Sequence, residues 1–238
     1  MNLLAIDTST ERMSVAVQKS GVVQPWLAEG AGAAAASSQL IASIQSLMQQ
    51  ADLRFAQLDA VVFGAGPGSF TGLRTACSVA QGLAYGAGVP VLPVGTLLAV
   101  AETARELLPD QAELRVTAAL DARMDEIYVA SFQWAEQRWR EVSAPALIKP
   151  EALALEAVSG SVLSALAGNV FETYGARLPE QAQVRVNAWP TGAALLRLAP
   201  ALLHAGGAVA AQDAHPFYVR DKVAQTTMER QATWRAPL

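Results

Sequence analysis

The stretch from Asp59 to Arg74, Asp-Ala-Val-Val-Phe-Gly-Ala-Gly-Pro-Gly-Ser-Phe-Thr-Gly-Leu-Arg, constrains the fold of this chain more than any other. Ala60 to Phe63 is an apolar run of strand length. Gly64, Gly66, Pro67 and Gly68 form a tight loop after it, and Ser69 or Thr71 can cap a following helix. A strand, a glycine loop and a helix in immediate succession point to an α/β architecture.

Such a unit gathers free backbone N–H groups at the positive end of a helix dipole, which first suggests a phosphate site. Two familiar phosphate signatures are not met. A Walker A loop needs lysine before Ser or Thr, and Thr71-Gly72-Leu73-Arg74 has none. A dinucleotide fingerprint needs glycines at offsets zero, two and five; from Gly64 the last position is Ser69, and from Gly66 it is Thr71. Spacing leaves two readings open: phosphate binding, or a tight turn that packs loop against helix.

With 238 residues the chain forms one large domain or two ordinary ones. Its 52% hydrophobic content comes largely from alanine, and Pro, Gly or charge interrupts each apolar run well before membrane-spanning length. The beginning, Met1 to Asp7, has no basic region and reaches an acid early, unlike a secretory leader. A cytoplasmic protein with no membrane partner is expected. Cys77 is the only cysteine, so no internal disulfide forms, and its helical, alanine-rich setting reads as core. A formal net charge of −4 with scattered basic residues disfavours direct binding to a polyanion.

Alternation marks Leu3 to Asp7, Met13 to Gln18 and Val22 to Leu27 as an opening three-strand meander. A Gly/Ala segment follows, then a helix over Ser37 to Gln50, a strand over Asp59 to Phe63, and a helix over Thr71 to Tyr85. Val89 to Leu92 reads as a strand and Gly95 to Leu108 as a helix. The same order starts again with strands at Leu114 to Leu120, Glu126 to Trp134 and Arg138 to Ser143. A helix opening at Pro150, a strand near Ser161 to Ala167 and helices from Val170 and Thr191 complete it. Two β-β-β-α-β-α halves, residues 1–110 and 111–238, are the pattern of a duplicated fold.

The first strand of each half ends in an aspartate, Asp7 and Asp121. In a duplicated fold these carboxylates face each other across the cleft and orient a metal-bound phosphate; alternatively they are turn formers.

These pieces together resemble one family. Asp7-Thr-Ser-Thr, the run Gly66 to Arg74, the run Asp121 to Tyr128 and the late Pro216-Phe-Tyr-Val-Arg220 look like the bacterial TsaB (YeaZ) family, in an order that covers nearly the whole chain. The resemblance implies an actin-like fold of the sugar kinase, Hsp70 and actin type. It also implies a part in forming the threonylcarbamoyl modification of adenosine 37 in tRNAs that read codons starting with A. In that family the paralogue TsaD carries the metal and the catalysis, TsaE is an ATPase, and TsaB is a noncatalytic partner that touches tRNA only through the complex.

Several residues bear on this assignment. The paralogue's metal sits on a His-x-x-x-His pair of the first long helix, whereas Ser37 to Ile44 contains no histidine and the family's remaining histidine position holds Ser37. His204 and His215 lie far downstream. There is no His-Glu-x-x-His helix and no Gly-x-Ser-x-Gly elbow, against a peptidase. Actin-like ATPases follow each cleft aspartate with Asp-x-Gly, but Ser9 and Arg123 stand in the glycine positions. Ser9 donates to a phosphate or caps its own turn, and Arg123 fills the phosphate space and pairs with Asp7 or Asp121.

The expected cleft, built from Asp7, Ser9, Gly66, Gly68, Ser69 and Asp121, is thus a vestigial nucleotide site. It requires no cofactor, binds ATP or ADP weakly or not at all, and leaves magnesium open. An active actin-like small-molecule kinase is the competing reading.

The Ser37 to Gln50 helix carries no charge, and Gly72, Ala76, Ala80 and Ala84 form a smooth stripe on the next helix. The resemblance implies that these two helices meet TsaD, or close a homodimer in its absence. Leu40, Ile44, Leu47, Met48, Gly72, Ala76, Ala80 and Leu83 are expected to divide between core and interface. Relatives continue after Ala224 with an aromatic residue and lysines, but Gln225-Thr-Thr-Met stands here, so the tail is expected to be flexible and to lack a basic contact.

Overall fold

The computed structural model describes residues 1–32, 36–108, 110–155, 162–180 and 182–220, with backbone alone at 36–38. The first half holds β1 (Leu3–Asp7), β2 (Arg12–Gln18), β3 (Trp26–Ala31), α1 (Ala36–Gln50), β4 (Ala60–Gly66), α2 (Phe70–Ala87), β5 (Val91–Gly95) and α3 (Thr96–Leu107). The second half holds β6 (Leu114–Asp121), β7 (Ile127–Ala135), β8 (Arg138–Ile148), β9 (Leu163–Gly168), α4 (Phe171–Tyr174), β10 (Val184–Asn187) and α5 (Gly192–His204). The expected tail beyond Ala224 lies outside the described residues.

The strands form two five-stranded sheets, in the orders β3-β2-β1-β4-β5 and β10-β9-β6-β7-β8. Each contains an antiparallel meander continued by parallel strands: β1 pairs antiparallel with β2 and parallel with β4, as β6 does with β7 and β9. This is the duplicated α/β arrangement that element order suggests, and the actin-like fold that the resemblance implies.

Alternation along β1 shows how the layers are made. Leu4 and Ile6 face a core shared with Leu40, Ile44 and Leu47 of α1 and Ala76 and Ala80 of α2. Leu3 and Ala5 point the opposite way, onto Ala99 of α3 and Leu195 and Ala199 of α5. The strand period of two thus feeds two cores at once. Leu97, Val100 and Ala104 of α3 pack on Val116 and Ala118 of β6, so α3 lies between the sheets. The second sheet's outer face is covered by Val170, Tyr174 and Leu178. Although α5 follows the second sheet in sequence, it packs on β1 and β2 of the first, across the expected division at residue 110.

Several expected elements differ. The third strand is Trp26–Ala31, not Val22 to Leu27: Lys19 to Gly21 make the turn, and Glu29, Gly30 and Ala31 pair with Ser14, Met13 and Arg12. β4 continues through its glycines to Gly66, because it is paired on both edges, with β1 and with β5. At Pro150 only a 3-10 turn forms, over Pro150–Ala152. The helix after Val170 is a single turn, Phe171–Tyr174, and β10 is an additional strand too short and polar to read by alternation.

Candidate functional site

The glycine loop turns sharply from β4 into α2, and each glycine there lies under another part of the chain. A Cβ on Gly64 would fall 1.8 Å from Asp7 Oδ2; one on Gly68 would fall 2.5 Å from Ser9 O, and one on Gly72 would fall 1.8 Å from Thr8 O. Gly66 has φ +123°, with its Cβ position 2.2 Å from Phe217 O. Only glycine allows these approaches.

The hydrogen bonds of the loop are likewise used internally. Gly66 N–H donates to Thr96 Oγ1 (3.0 Å), Ser69 N–H to Ser9 O (2.7 Å) and Leu73 N–H to Ser69 O (2.8 Å). Ser69 is the N-cap of α2, accepting from Gly72 N–H at 3.5 Å. Two donors that a phosphate loop would aim at its ligand, the N–H groups of Ser69 and Gly66, are here spent on the β1–β2 hairpin and on α3. Of the two readings open in the sequence, the packing turn is the one these contacts support.

Asp7 is 1% exposed. Its Oδ1 accepts from Ser9 N–H (2.9 Å) and Ser9 Oγ (2.8 Å), while Oδ2 has no hydrogen-bond partner among the described residues. Burial pushes its carboxyl up to about 7, against the lowering effect of the two Ser9 bonds. Ser9 therefore caps its own turn.

A cleft of about 290 Å³ lies between the halves. Ser9, Thr10, Glu11, Gly68 and Ser69 line it from the first half; Asp121, Ala122, Arg123, Tyr128 and Asn169 line it from the second. Asp7 and Gly66 are not on its wall, which corrects the expectation that Asp7 and Asp121 face each other across it. The strand ending at Asp7 points its carboxylate under Gly64 rather than into the cleft.

Asp121 is held on its own side. Its Oδ1 accepts from Arg123 N–H (2.8 Å) and Tyr174 Oη (3.0 Å), and its Oδ2 pairs with Arg123 Nη1 at 3.0 Å. Arg123 thus pairs with Asp121 and not with Asp7, and its side chain, 76% exposed, stands at the mouth of the cleft. On the cleft wall Glu11 joins the halves, accepting from Asn169 Nδ2 (3.2 Å) and Trp189 Nε1 (2.6 Å). Burial raises the Glu11 carboxyl, but the Trp189 and Asn169 bonds and the charge of Arg123 hold it below its usual value. The Arg12 guanidinium lies 3.6 Å over the Trp189 ring. Asn169 Oδ1 also accepts from Asp121 N–H at 2.9 Å, so one side chain links Glu11 to Asp121.

The actin-like fold implies a nucleotide whose phosphates are held through a divalent cation. The residues present do not fit that group: Asp7 is sealed in with a raised pKa, Asp121 is already paired with a guanidinium, and the Gly66 and Ser69 N–H groups of the loop are occupied. Among the described residues no cluster of three His, Cys, Asp or Glu side chains is placed to hold a metal.

No local motif marks Glu11, Asn169, Tyr174 and Trp189, which come from separate segments of the sequence, and Arg220 was visible only within the late Pro216 to Arg220 run of the family pattern.

On the helices, Leu40, Ile44, Leu47, Met48, Ala76 and Ala80 are all buried in the core over the first sheet, Gly72 is buried beneath Thr8, and Leu83 is partly buried against that core. The expected division between core and interface is corrected accordingly: the smooth stripe of α2 faces β4 and β1, where small side chains let a helix settle closely on a sheet. The outward face is different. Ile41 and Phe70 are each 43% exposed, and with Thr71, Arg74, Thr75, Ser78 and Val79 they form a shallow groove between α1 and α2. Cys77 is buried, as expected, with Sγ 3.4 Å from Ala214 O.

Residues 8–227 match the family model of TsaD, tRNA N6-adenosine threonylcarbamoyltransferase. The TsaB protein of Escherichia coli, a tRNA threonylcarbamoyladenosine biosynthesis protein, is 31% identical over 230 residues, 94% of this chain and 96% of that one. TsaB of Haemophilus influenzae is 38% identical over 159 residues, 63% of this chain and 65% of that one, just under two thirds of its length. YeaZ from Pseudomonas aeruginosa superposes with a TM-score of 0.81 at 34% identity, covering 91% of this chain and 99% of the other. A second Pseudomonas aeruginosa structure, described as similar to peptidase YeaZ, superposes at 0.82 with 34% identity, covering 92% and 99%. With the identity extending over almost the whole chain and the same duplicated sheets beneath it, the chain belongs to the TsaB (YeaZ) family of tRNA threonylcarbamoyladenosine biosynthesis proteins.

Proposed function

We propose that this chain is a noncatalytic subunit of the complex that forms N6-threonylcarbamoyladenosine at position 37 of tRNAs reading codons that start with A. It acts by binding the catalytic paralogue TsaD, with TsaE, and meets tRNA only through that complex. The observation that carries this reading is the buried Asp7: the carboxylate that ends the first strand is sealed under Gly64 by the chain's own packing, and the Gly66 and Ser69 N–H groups are spent on Thr96 and Ser9, which leaves little with which to activate a nucleotide. An active small-molecule kinase would need those same groups free.

The docking surface is the outward face of α1 and α2, where Ile41, Phe70 and Val79 offer apolar area and Arg74 is the one charge among the described residues that line the groove. An uncharged helix face costs little to desolvate, which suits burial against a partner. The same face closes a homodimer when TsaD is absent. No cofactor is required; ATP or ADP binds weakly or not at all, with or without magnesium. Among the described residues no helix is long and apolar enough to cross a membrane, and the cytoplasm, where tRNA is modified, is the location we assign.

Reconstitution tests this directly. Modified tRNA is measured with the chain, TsaD and TsaE together and with each omitted. Product should require TsaD, and product from this chain alone would overturn the proposal. Tight magnesium-dependent ATP binding to the isolated chain in a calorimetric titration would reopen the kinase reading.

A further inference from the structure

Residues 214–220 cross from one half of the molecule to the other. The Ala214 carbonyl accepts from Cys77 Sγ (3.4 Å) and Gln81 Nε2 (3.0 Å) of α2, and Phe217 N–H donates to Ala65 O of β4 (2.6 Å). Tyr218 then meets the first turns of α2: its hydroxyl accepts from Arg74 Nε at 3.1 Å, and its ring centroid lies 5.6 Å from that of Phe70. Val219 packs into the core of the other half, and Arg220 reaches the β6–β7 turn.

That turn is strained. Arg123, Met124 and Asp125 have φ of +60°, +56° and +64°, three successive non-glycine residues in the left-handed region. Such a backbone persists only where its surroundings hold it. Arg220 supplies part of the hold, donating to Arg123 O (3.4 Å) and Met124 Sδ (3.1 Å) and pairing with Glu126 at 2.5 Å. Within the turn, Ala122 N–H donates to Glu126 O and Glu126 N–H to Arg123 O. Arg123 in turn pairs with Asp121 on the cleft wall. At the other end of the segment, Phe70 lines both the cleft and the α1–α2 groove.

From this continuous path we propose that residues 214–220 are a strap coupling the α2 N-terminal face to the β6–β7 turn, so that contact at Phe70 and Arg74 sets the shape of the far wall of the cleft. The strap has only Val219 between its two anchors, Tyr218 on one half and Arg220 on the other, so a displacement of the first is not absorbed along the chain. On this proposal the turn, clasped by Arg220 in the left-handed form, relaxes when the clasp is released, and such an element is what converts a small push into a change of state. The identity of the body seated on α2 rests on the docking reading above; the coupling is a property of this chain alone.

Hydrogen exchange at single amides of the full chain tests it without a partner. Arg220→Ala and Tyr218→Ala should each speed exchange at Ala122 and Glu126 by about tenfold, with Tyr218→Phe in between, while Val62 and Leu92 in the sheet keep their rates. Acceleration in Arg220→Ala but none in Tyr218→Ala would overturn the coupling, as would no change in either. If Tyr218→Ala also loosens the core, Tyr218→Phe decides: acceleration confined to the turn supports the strap, and none refutes it. Adding the partner proposed above separates the two readings. Binding that leaves Ala122 and Glu126 unaltered overturns the strap but not docking; turn coupling in the isolated chain with no partner binding supports the strap and overturns docking alone.

Discussion

Gly64 lies directly over the carboxylate of Asp7, so close that a Cβ would sit 1.8 Å from Asp7 Oδ2. The first glycine of the loop and the first cleft aspartate are therefore one packing unit. Gly64→Ala should destabilise the chain by roughly 3 kcal/mol, since neither β4 nor β1, both central in their sheet, can move aside. Urea unfolding measures this. Asp7→Gly in the same chain should recover much of the loss, and an undiminished loss in the double variant would show that the clash lies elsewhere.

Asp7 also sets a pH dependence. Its folded pKa, about 7, lies above the 3.8 of a free aspartate, so it favours the folded state most when protonated in both states. That contribution is complete below about pH 4, is lost as pH rises through 7, and is flat beyond. Asp7→Asn removes the ionisation, so the stability of the variant relative to the parent should rise by up to roughly 4 kcal/mol between pH 4 and pH 8. Parallel denaturation curves at the two pH values check it, and a constant difference would contradict the raised pKa.

Ala80 and Ile41 separate fold from interface. Ala80 is fully buried over the first sheet, so Ala80→Glu should unfold the monomer or cost more than about 3 kcal/mol by leaving an unpaired buried charge. Ile41, 43% exposed, should accept Asp within about 0.5 kcal/mol and lose co-purification with TsaD. A folded, monodisperse Ile41→Asp that still pulls down TsaD would move the interface off this groove.

Glu102 is a buried carboxylate, 2% exposed, that ties α3 to β8 and α5. It accepts two bonds from Arg105 (2.9 and 3.0 Å), one from Trp139 Nε1 (2.9 Å) and one from Arg197 Nε (2.8 Å). Burial raises its pKa, but the bonds from Arg105, Trp139 and Arg197 outweigh burial and hold it below 4.5. Its contribution is therefore present above pH 4.5 and lost as pH falls through the lowered value. Glu102→Ala should cost about 3–5 kcal/mol near neutrality, more than Glu102→Gln, with the gap closing in acid. Thermal melts at pH 7 and pH 4 would show it.

Local pattern carried much of the architecture. Period-two alternation in Leu3–Asp7 and Met13–Gln18, apolar Ala60–Phe63 and the Ser69 cap are short-range signals, and each element formed where its own residues called for it. The third strand moved to Trp26–Ala31 because its pairing with β2, not its hydropathy, chose the register. At Pro150 a helical opening stopped after one 3-10 turn, and β10 was too short and polar to announce itself.

The sequence by itself determined the duplicated α/β order, the sharp glycine turn, the buried cysteine and the family. Only the tertiary structure decided what the signature residues do. The direction of a side chain and the use of a backbone N–H depend on what another part of the chain brings against them. It took the β1–β2 hairpin to seal Asp7 and take up the Ser69 N–H, the first sheet to bury the smooth stripe of α2, and Asn169 and Trp189, more than 150 residues away, to find Glu11.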